Sequence, residues 1–271
     1  NNTALGFNAL AADTLGDRAV AIGVDALAAQ NFTTSTDNYN VAIGFQAGVA
    51  VTTGVDNTLL GGLAGDALTD ADFNVAIGKA SLSADTKGNT ATAVGVATLL
   101  SQNFTTSTNN YNSAFGYFAG SAITTGVQNT LIGALTGDAL TDADRNVALG
   151  YASLSTDVLG SRSTAIGYGA LNEQNFTTAT DSYNTAVGYN AGNRVTTGIK
   201  NTIIGGLAGD ALTDADENVA IGVSALGADT LGSKSTAIGQ GALQVQDFTT
   251  ATDTYNTAVG FQSGKAITTG T

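Results

Sequence analysis

The chain has 271 residues, including 35 glycines but no proline, cysteine, histidine, methionine or tryptophan; 43% are hydrophobic and only 11% charged, which is too apolar for a disordered tail. Nine Lys and Arg against 22 Asp and Glu leave a net charge of −13, so binding to a phosphate backbone is not expected and no nucleic-acid partner is assigned. Without histidine or cysteine there is no ordinary zinc site, thiol nucleophile, Ser-His-Asp triad or disulfide, and the lack of an apolar run near about 18 residues or of a basic leader predicts neither a membrane span nor a signal peptide in this segment.

From the N-terminal end, the first element is Asn-Thr-Ala-Leu-Gly at 2–6, which recurs in degenerate form with its glycine at Gly6, Gly23, Gly44, Gly61, Gly78, Gly95, Gly116, Gly133, Gly150, Gly167, Gly188, Gly205, Gly222, Gly239 and Gly260. The steps run 17, 21, 17, 17 and repeat, so four units form a 72-residue super-repeat. No linker or change of composition interrupts it, and the whole of 1–271 is expected to be one repetitive segment.

Within each unit, Thr/Val, Ala, Ile/Val and Gly alternate with period two, which predicts a β-strand with one bulky and one small face. The bulky face is expected to fill the interior and the Ala/Gly face to meet a neighbouring subunit. A second short strand is expected after the glycine, where the third residue is Ala, Ser or Thr and the fourth is Leu or Gly. Where it is Gly48, Gly65, Gly120 or Gly137, an apolar residue stands three positions on (Val51, Leu68, Ile123, Leu140), which keeps the apolar content of the unit.

Turns follow at Asp-x-x-Gly (first at 13–16), Thr-Thr-Gly (first at 52–54) and Thr-Asp-Ala-Asp (first at 69–72). A 17-residue unit cannot bury its own apolar face, so the units must stack. The expected fold is all-β: a parallel β-roll or β-solenoid of about fifteen coils, with coil spacing of about 4.8 Å. Proline would break its ladder, and aligned Asn residues are expected to stack along one edge.

Asn40-Val41-Ala42-Ile43-Gly44, Asn74-Val75-Ala76-Ile77-Gly78 and Asn218-Val219-Ala220-Ile221-Gly222 resemble the head repeat of YadA-like trimeric autotransporter adhesins. Asn184 to Gly192, followed by Thr196-Thr197-Gly198, is similar to repeats of phage tail fibres. The resemblance covers essentially the whole chain. It implies a left-handed roll, three chains side by side as a homotrimer, and an extracellular, cell-surface or virion fibre that adheres to a host. The coils of 17 or 21 residues are longer than the usual head repeat.

The 21-residue units contain Asn31–Asn40 and its repeats at 103–112, 175–184 and 247–256, which should form loops about 19 Å apart, four coil spacings. Phe32, Tyr39, Phe104, Tyr111, Phe176, Tyr183, Phe248 and Tyr255 sit at their edges, beside hydroxyls and amides that suit a host-surface glycan. The alternative is that each Phe closes its own loop. A second ladder, Asp66, Asp70, Asp72, Asp138, Asp142, Asp144, Asp210, Asp214 and Asp216, is a candidate for Ca²⁺, although its spacing also suits Asx turns. No catalytic residue is assigned and no enzyme is expected, because every Asp recurs in the array and the two glutamates, Glu173 and Glu217, lack an evident acid/base partner.

The expected function is structural and adhesive, with repeated loops giving multivalent contacts to a host glycan or protein. The alternative is an ice-binding or purely structural self-assembling filament. Against ice binding stands the expectation that the strand threonines are buried. The segment begins within a strand motif and its last residues plus its first complete one 17-residue coil, so copies are also expected to stack head to tail.

Overall fold

The computed structural model describes residues 1–271 and contains twenty-three strands and no helix. It is a parallel β-solenoid of fifteen turns, which divide into two compact units, Asn1–Asn129 and Thr130–Thr271. The first unit carries seven three-residue strands: Thr3–Leu5, Val20–Ile22, Val41–Ile43, Thr58–Leu60, Val75–Ile77, Thr92–Val94 and Ser113–Phe115. Each pairs in parallel with its successor at the same place in the repeat, so that Thr3, Val20 and Val41 stand side by side, as do Ala4, Ala21 and Ala42. The second unit does the same with eight: Thr130–Ile132, Val147–Leu149, Thr164–Ile166, Thr185–Val187, Thr202–Ile204, Val219–Ile221, Thr236–Ile238 and Thr257–Val259.

A close approach of backbones explains the repeating glycine. Gly44 has φ +142°, and a Cβ there would lie 2.5 Å from the carbonyl oxygen of Gly61 in the next coil. Only glycine satisfies both the angle and the contact.

The segment after that glycine differs from the expected second strand. It is a run of overlapping turns in which alternate residues are left-handed, such as Asp25 (φ 56°) and Leu27 (φ 49°). Ala28 N–H donates to the Asp25 carbonyl and Gln30 N–H to that of Leu27. The other amides reach neighbouring coils: Asp25 N–H donates backwards to Phe7 and Leu27 N–H forwards to Ala47, at 2.8 and 3.1 Å. Alternating hand therefore keeps the ladder while turning the chain tightly enough to close a coil in 17 residues. Left-handed Leu costs roughly 1–2 kcal/mol locally, which the bonds to both neighbours hold in place.

The strand faces are also the reverse of the expectation. Ala21, Ala42, Ala76, Ala93 and Ala114 are fully buried in the first unit, as are Ala148, Ala165, Ala186, Ala220 and Ala237 in the second. Their flanking Val, Ile and Thr residues point out and are half-buried or, like Val147, exposed, and Leu60 and Leu149 are each 42% exposed. The reason is volume. The interior is already filled from the opposite side by Leu27, Leu82 and Leu99, which leaves room only for a methyl group. Where that side supplies Gly48 and Gly65 instead, the strand carries Leu59, whose Cδ1 would lie 2.6 Å from a Cβ on Gly48. Gly192 and Gly209 meet Ile203 in the same way. The Ala face is thus sealed inside its own roll and does not meet another subunit.

The Asn column runs through the interior, not along an edge. Asn57 and Asn74 are fully buried; Asn40 Oδ1 accepts from Asn57 N–H at 2.9 Å, and Asn57 Oδ1 accepts from Asn74 N–H at 3.0 Å. Each Nδ2 also donates to a turn carbonyl, Asn57 to Ala71 at 2.8 Å and Asn74 to Gly88 at 2.9 Å. In these coils one side chain therefore ties strand, turn and next coil together, with its polar atoms satisfied at zero exposure, whereas every fourth coil carries Ala19, Ala91, Ser163 or Ser235 at that place.

Candidate functional site

The 21-residue coils place their loops by a buried carboxylate. In the first unit, Asp85 is fully buried; its Oδ1 accepts from the Gly88 and Phe104 amides, both at 3.0 Å, and its Oδ2 accepts from Gln102 Nε2 at 2.6 Å. Gln102 Oε1 in turn accepts from Asn112 Nδ2 at 2.9 Å. The chain Asn112→Gln102→Asp85 spans the base of the loop and fixes where it leaves and rejoins the roll. Asp157 with Gln174, and Asp229 with Gln246, repeat it in the second unit. Burial pushes the Asp157 carboxyl above the ordinary range, against the pull of those hydrogen bonds.

These residues position the candidate aromatics. Phe32, Phe104, Phe176 and Phe248 are only 5–6% exposed. The Phe104 ring lies over the glycine of the preceding Asp-x-x-Gly turn, with its Cδ2 2.9 Å from where a Gly88 Cβ would be. The phenylalanines anchor their loops, and the turn glycine makes room for the ring. The tyrosines do the opposite: Tyr39, Tyr111, Tyr183 and Tyr255 are 48%, 55%, 51% and 68% exposed.

Three of those tyrosines sit beneath a cation. Arg18 lies 5.3 Å from the Tyr39 ring centre, Arg162 5.5 Å from Tyr183 and Lys234 5.4 Å from Tyr255. Each cation also pairs with an acid on the loop: Arg18 with Asp37 at 2.9 Å, Lys234 with Asp253 at 2.6 Å, and Arg162 with Asp181. In the remaining copy Thr90 replaces the cation and Asn109 replaces the acid, so the pair is exchanged as a unit. Lys234 holds the Asp253 carboxyl below the usual carboxylate range by its hydrogen bond and charge.

The acidic turns do not gather into a metal site, since no three carboxylates converge anywhere in the chain. Asp66, Asp138 and Asp210 are part-buried, and burial pushes each above the usual range. Asp72 and Asp216 accept from the Val55 and Ile199 amides of the preceding coil, both at 2.8 Å, and Thr197 donates to Asp214 at 2.6 Å. Asp70 accepts from Thr69 and lies 3.5 Å from Lys87. Burial alone would raise it, but those hydrogen bonds and the lysine leave it below the usual range. Asp142 and Asp144 belong to the turn equivalent to Asp70 and Asp72.

A feature that sequence reading passed over is the residue just after each repeating glycine. This position points outward beside the bulky strand face and is often aromatic: Phe7, Phe45, Tyr117, Tyr151, Tyr168, Tyr189 and Phe261 are 49–72% exposed. In the second unit Tyr151, Tyr168 and Tyr189 stack in sequence, with ring centres 5.4 and 5.5 Å apart and planes 17° and 18° from parallel. The recurrence of aromatics at that offset was the available signal. With the strand residues it makes an outward apolar face on each unit.

No protein-family model, curated protein or solved structure matches the chain.

Proposed function

We propose that this chain is a structural and adhesive segment of an extracellular or virion surface fibre, working as a homotrimer of left-handed rolls that presents its loops to a host glycan or protein. The observation that carries the reading is the outward face of each unit. Val20, Ile22, Val41 and Ile43, continued by exposed Phe45 and Leu60, form a regular apolar strip that water contacts on a single chain. Contiguous exposed apolar surface of this kind marks an association site. A straight face suits another copy with the same period, because every coil then repeats the same contact. Fixed loops with an exposed Tyr, a hydroxyl-rich rim and a paired cation supply the repeated weak contacts of an adhesin.

Sedimentation of the purified chain tests the association. The expected species is three times the 26.9 kDa chain mass, or a longer stack of such trimers. Ile22→Asp with Ile43→Asp should return it to a monomer, because unpaired charge would then face the partner. A wild-type chain that stays monomeric at high micromolar concentration would overturn the trimer. A glycan and host-protein array with Tyr39, Tyr111, Tyr183 and Tyr255 all changed to Ala tests the loops, and binding unaffected by that change would remove them as the contact.

A second reading, ice binding, is favoured by one specific observation. Thr130, Thr164, Thr185, Thr202, Thr236 and Thr257 lie on the outer face of the second unit, half-buried or exposed, which reverses the expectation that counted against it. Measurable thermal hysteresis from the chain would support this reading, and its absence would remove it.

A further inference from the structure

The super-repeat varies at one place on the turn face. The fifth residue after the repeating glycine is Ala11, Ser83, Ser155 and Gly227 at its four equivalent positions, and only Gly227 lacks a side chain. Nothing in the backbone demands that glycine: a Cβ there would meet the Ser224 carbonyl at 3.3 Å and Asp210 Oδ1 at 3.5 Å, with no forced left-handed angle. At the equivalent coil Ser155 Oγ accepts from Asn172 Nδ2 at 2.7 Å, which closes the surface. Here Asn172 is replaced by the longer Gln244, and its partner hydroxyl is gone.

Beside Gly227 lies an open groove of about 430 Å³ lined by Leu207, Asp210, Ser224, Ala228, Gln244 and Val245. That is within the size of small-ligand sites. The Asp210 carboxylate accepts from its own backbone amide, while the Ser224 hydroxyl and Gln244 amide make no side-chain hydrogen bond to the protein. A second recess of about 210 Å³ shares Ser224 and Gln244 and adds the amides of Gln240 and Gln262 and the ammonium of Lys265.

We infer that this groove binds a neutral saccharide ring, with Asp210, Ser224 and Gln244 holding adjacent hydroxyls and Leu207 and Val245 lying against the ring's C–H face. A carboxylate accepts and an amide both donates and accepts, which matches vicinal hydroxyls. Asp210 is the one charged group lining the main groove, and its carboxylate disfavours an anionic ring there, while Lys265 lines the adjoining recess. One carboxylate without a second acid does not make a site for a divalent cation. The inference needs neither the loops nor the trimer.

The test is saturation-transfer NMR on the full chain with the methyl glycosides of glucose, galactose, mannose and N-acetylglucosamine as probes. At least one should bind with a dissociation constant in the millimolar range. Gly227→Ser, which installs the residue found at 83 and 155, should weaken it at least tenfold by setting a hydroxymethyl group against Asp210, at an unchanged melting temperature. Gln244→Ala should also weaken it at least tenfold while enlarging the space, and Tyr183→Ala with Tyr255→Ala should leave it unchanged. Binding that survives both Gly227→Ser and Gln244→Ala, binding lost only with the loop tyrosines, or no binding of any of the four probes would each overturn the inference.

Discussion

Replacing Asp85 separates a buried carboxylate that organises a loop from one that merely tolerates burial. Asp85→Ala strands three donors, the Gly88 and Phe104 amides and Gln102 Nε2. Each buried donor left without an acceptor costs about 1–3 kcal/mol, which bounds the loss at roughly 3–9 kcal/mol. Water entering the vacated space should bring it to the low end, about 3–4 kcal/mol, still a large share of a typical 5–15 kcal/mol total. Asp85→Asn keeps an oxygen for the two amides but turns an NH₂ towards Gln102 Nε2. Gln102 cannot flip to relieve it, because its Oε1 already accepts from Asn112 Nδ2 and a flip would set two donors together there. A loss of about 1–3 kcal/mol is expected. Adding Gln102→Glu moves the carboxylate one step along the chain and gives both Asn groups an acceptor, so the double variant should recover at least half of the loss. Urea unfolding measures the cycle, and hydrogen exchange at the Phe104 amide localises it. Asp85→Asn matching wild type within about 0.5 kcal/mol, or a double variant no better than the sum of the singles, would refute the argument.

Glycines divide into forced and free. Gly44→Ala should cost about 2–4 kcal/mol in thermal unfolding, from the left-handed angle and the contact with Gly61, whereas Gly62→Ala, whose Cβ meets only the Phe45 carbonyl at 3.9 Å, should stay within about 0.5 kcal/mol. Asp66, Asp72, Asp138, Asp157 and Asp210 all have carboxyls raised by burial. A raised folded value means that the stabilising contribution is full below the unfolded value near 3.9 and is lost as pH rises through the folded value. The melting temperature should therefore hold or rise as pH falls from 7 towards about 4, opposed only weakly by the exposed Asp17, Asp70 and Asp253, which are lowered. A steady fall over that range would contradict this assignment. Arg18→Thr with Asp37→Asn copies the Thr90 and Asn109 arrangement and should change the melting temperature by less than either single change does. Differential scanning fluorimetry of the three variants checks it.

The candidate site was partly legible. The constant spacing of Phe32 and Tyr39 located the loops, and the alternative in which each Phe closes its own loop agrees with its burial. Asp85 and Gln102 lie 17 residues apart and Asn112 ten further on, so their meeting under one loop depends on coil stacking that no local pattern displays. The groove beside Gly227 depends on stacking that brings together Leu207, Asp210, Ser224 and Gln244 from successive coils, which no local pattern displays.

Period, coil number and parallel stacking were determined by the amino-acid sequence alone, because the repeating glycine marks where backbones of successive coils touch and a 17-residue unit cannot bury itself. Which strand face turned inward was not. Alternation with period two reads the same with its faces exchanged, and only the volume already taken by Leu27, Leu82 and Leu99 on the far side decides for alanine. Nor could local preference anticipate Leu27 or Leu99 in a left-handed conformation. That backbone is unfavourable for either residue by itself and exists because its amides bond to the coils on both sides, an arrangement that belongs to the stack as a whole.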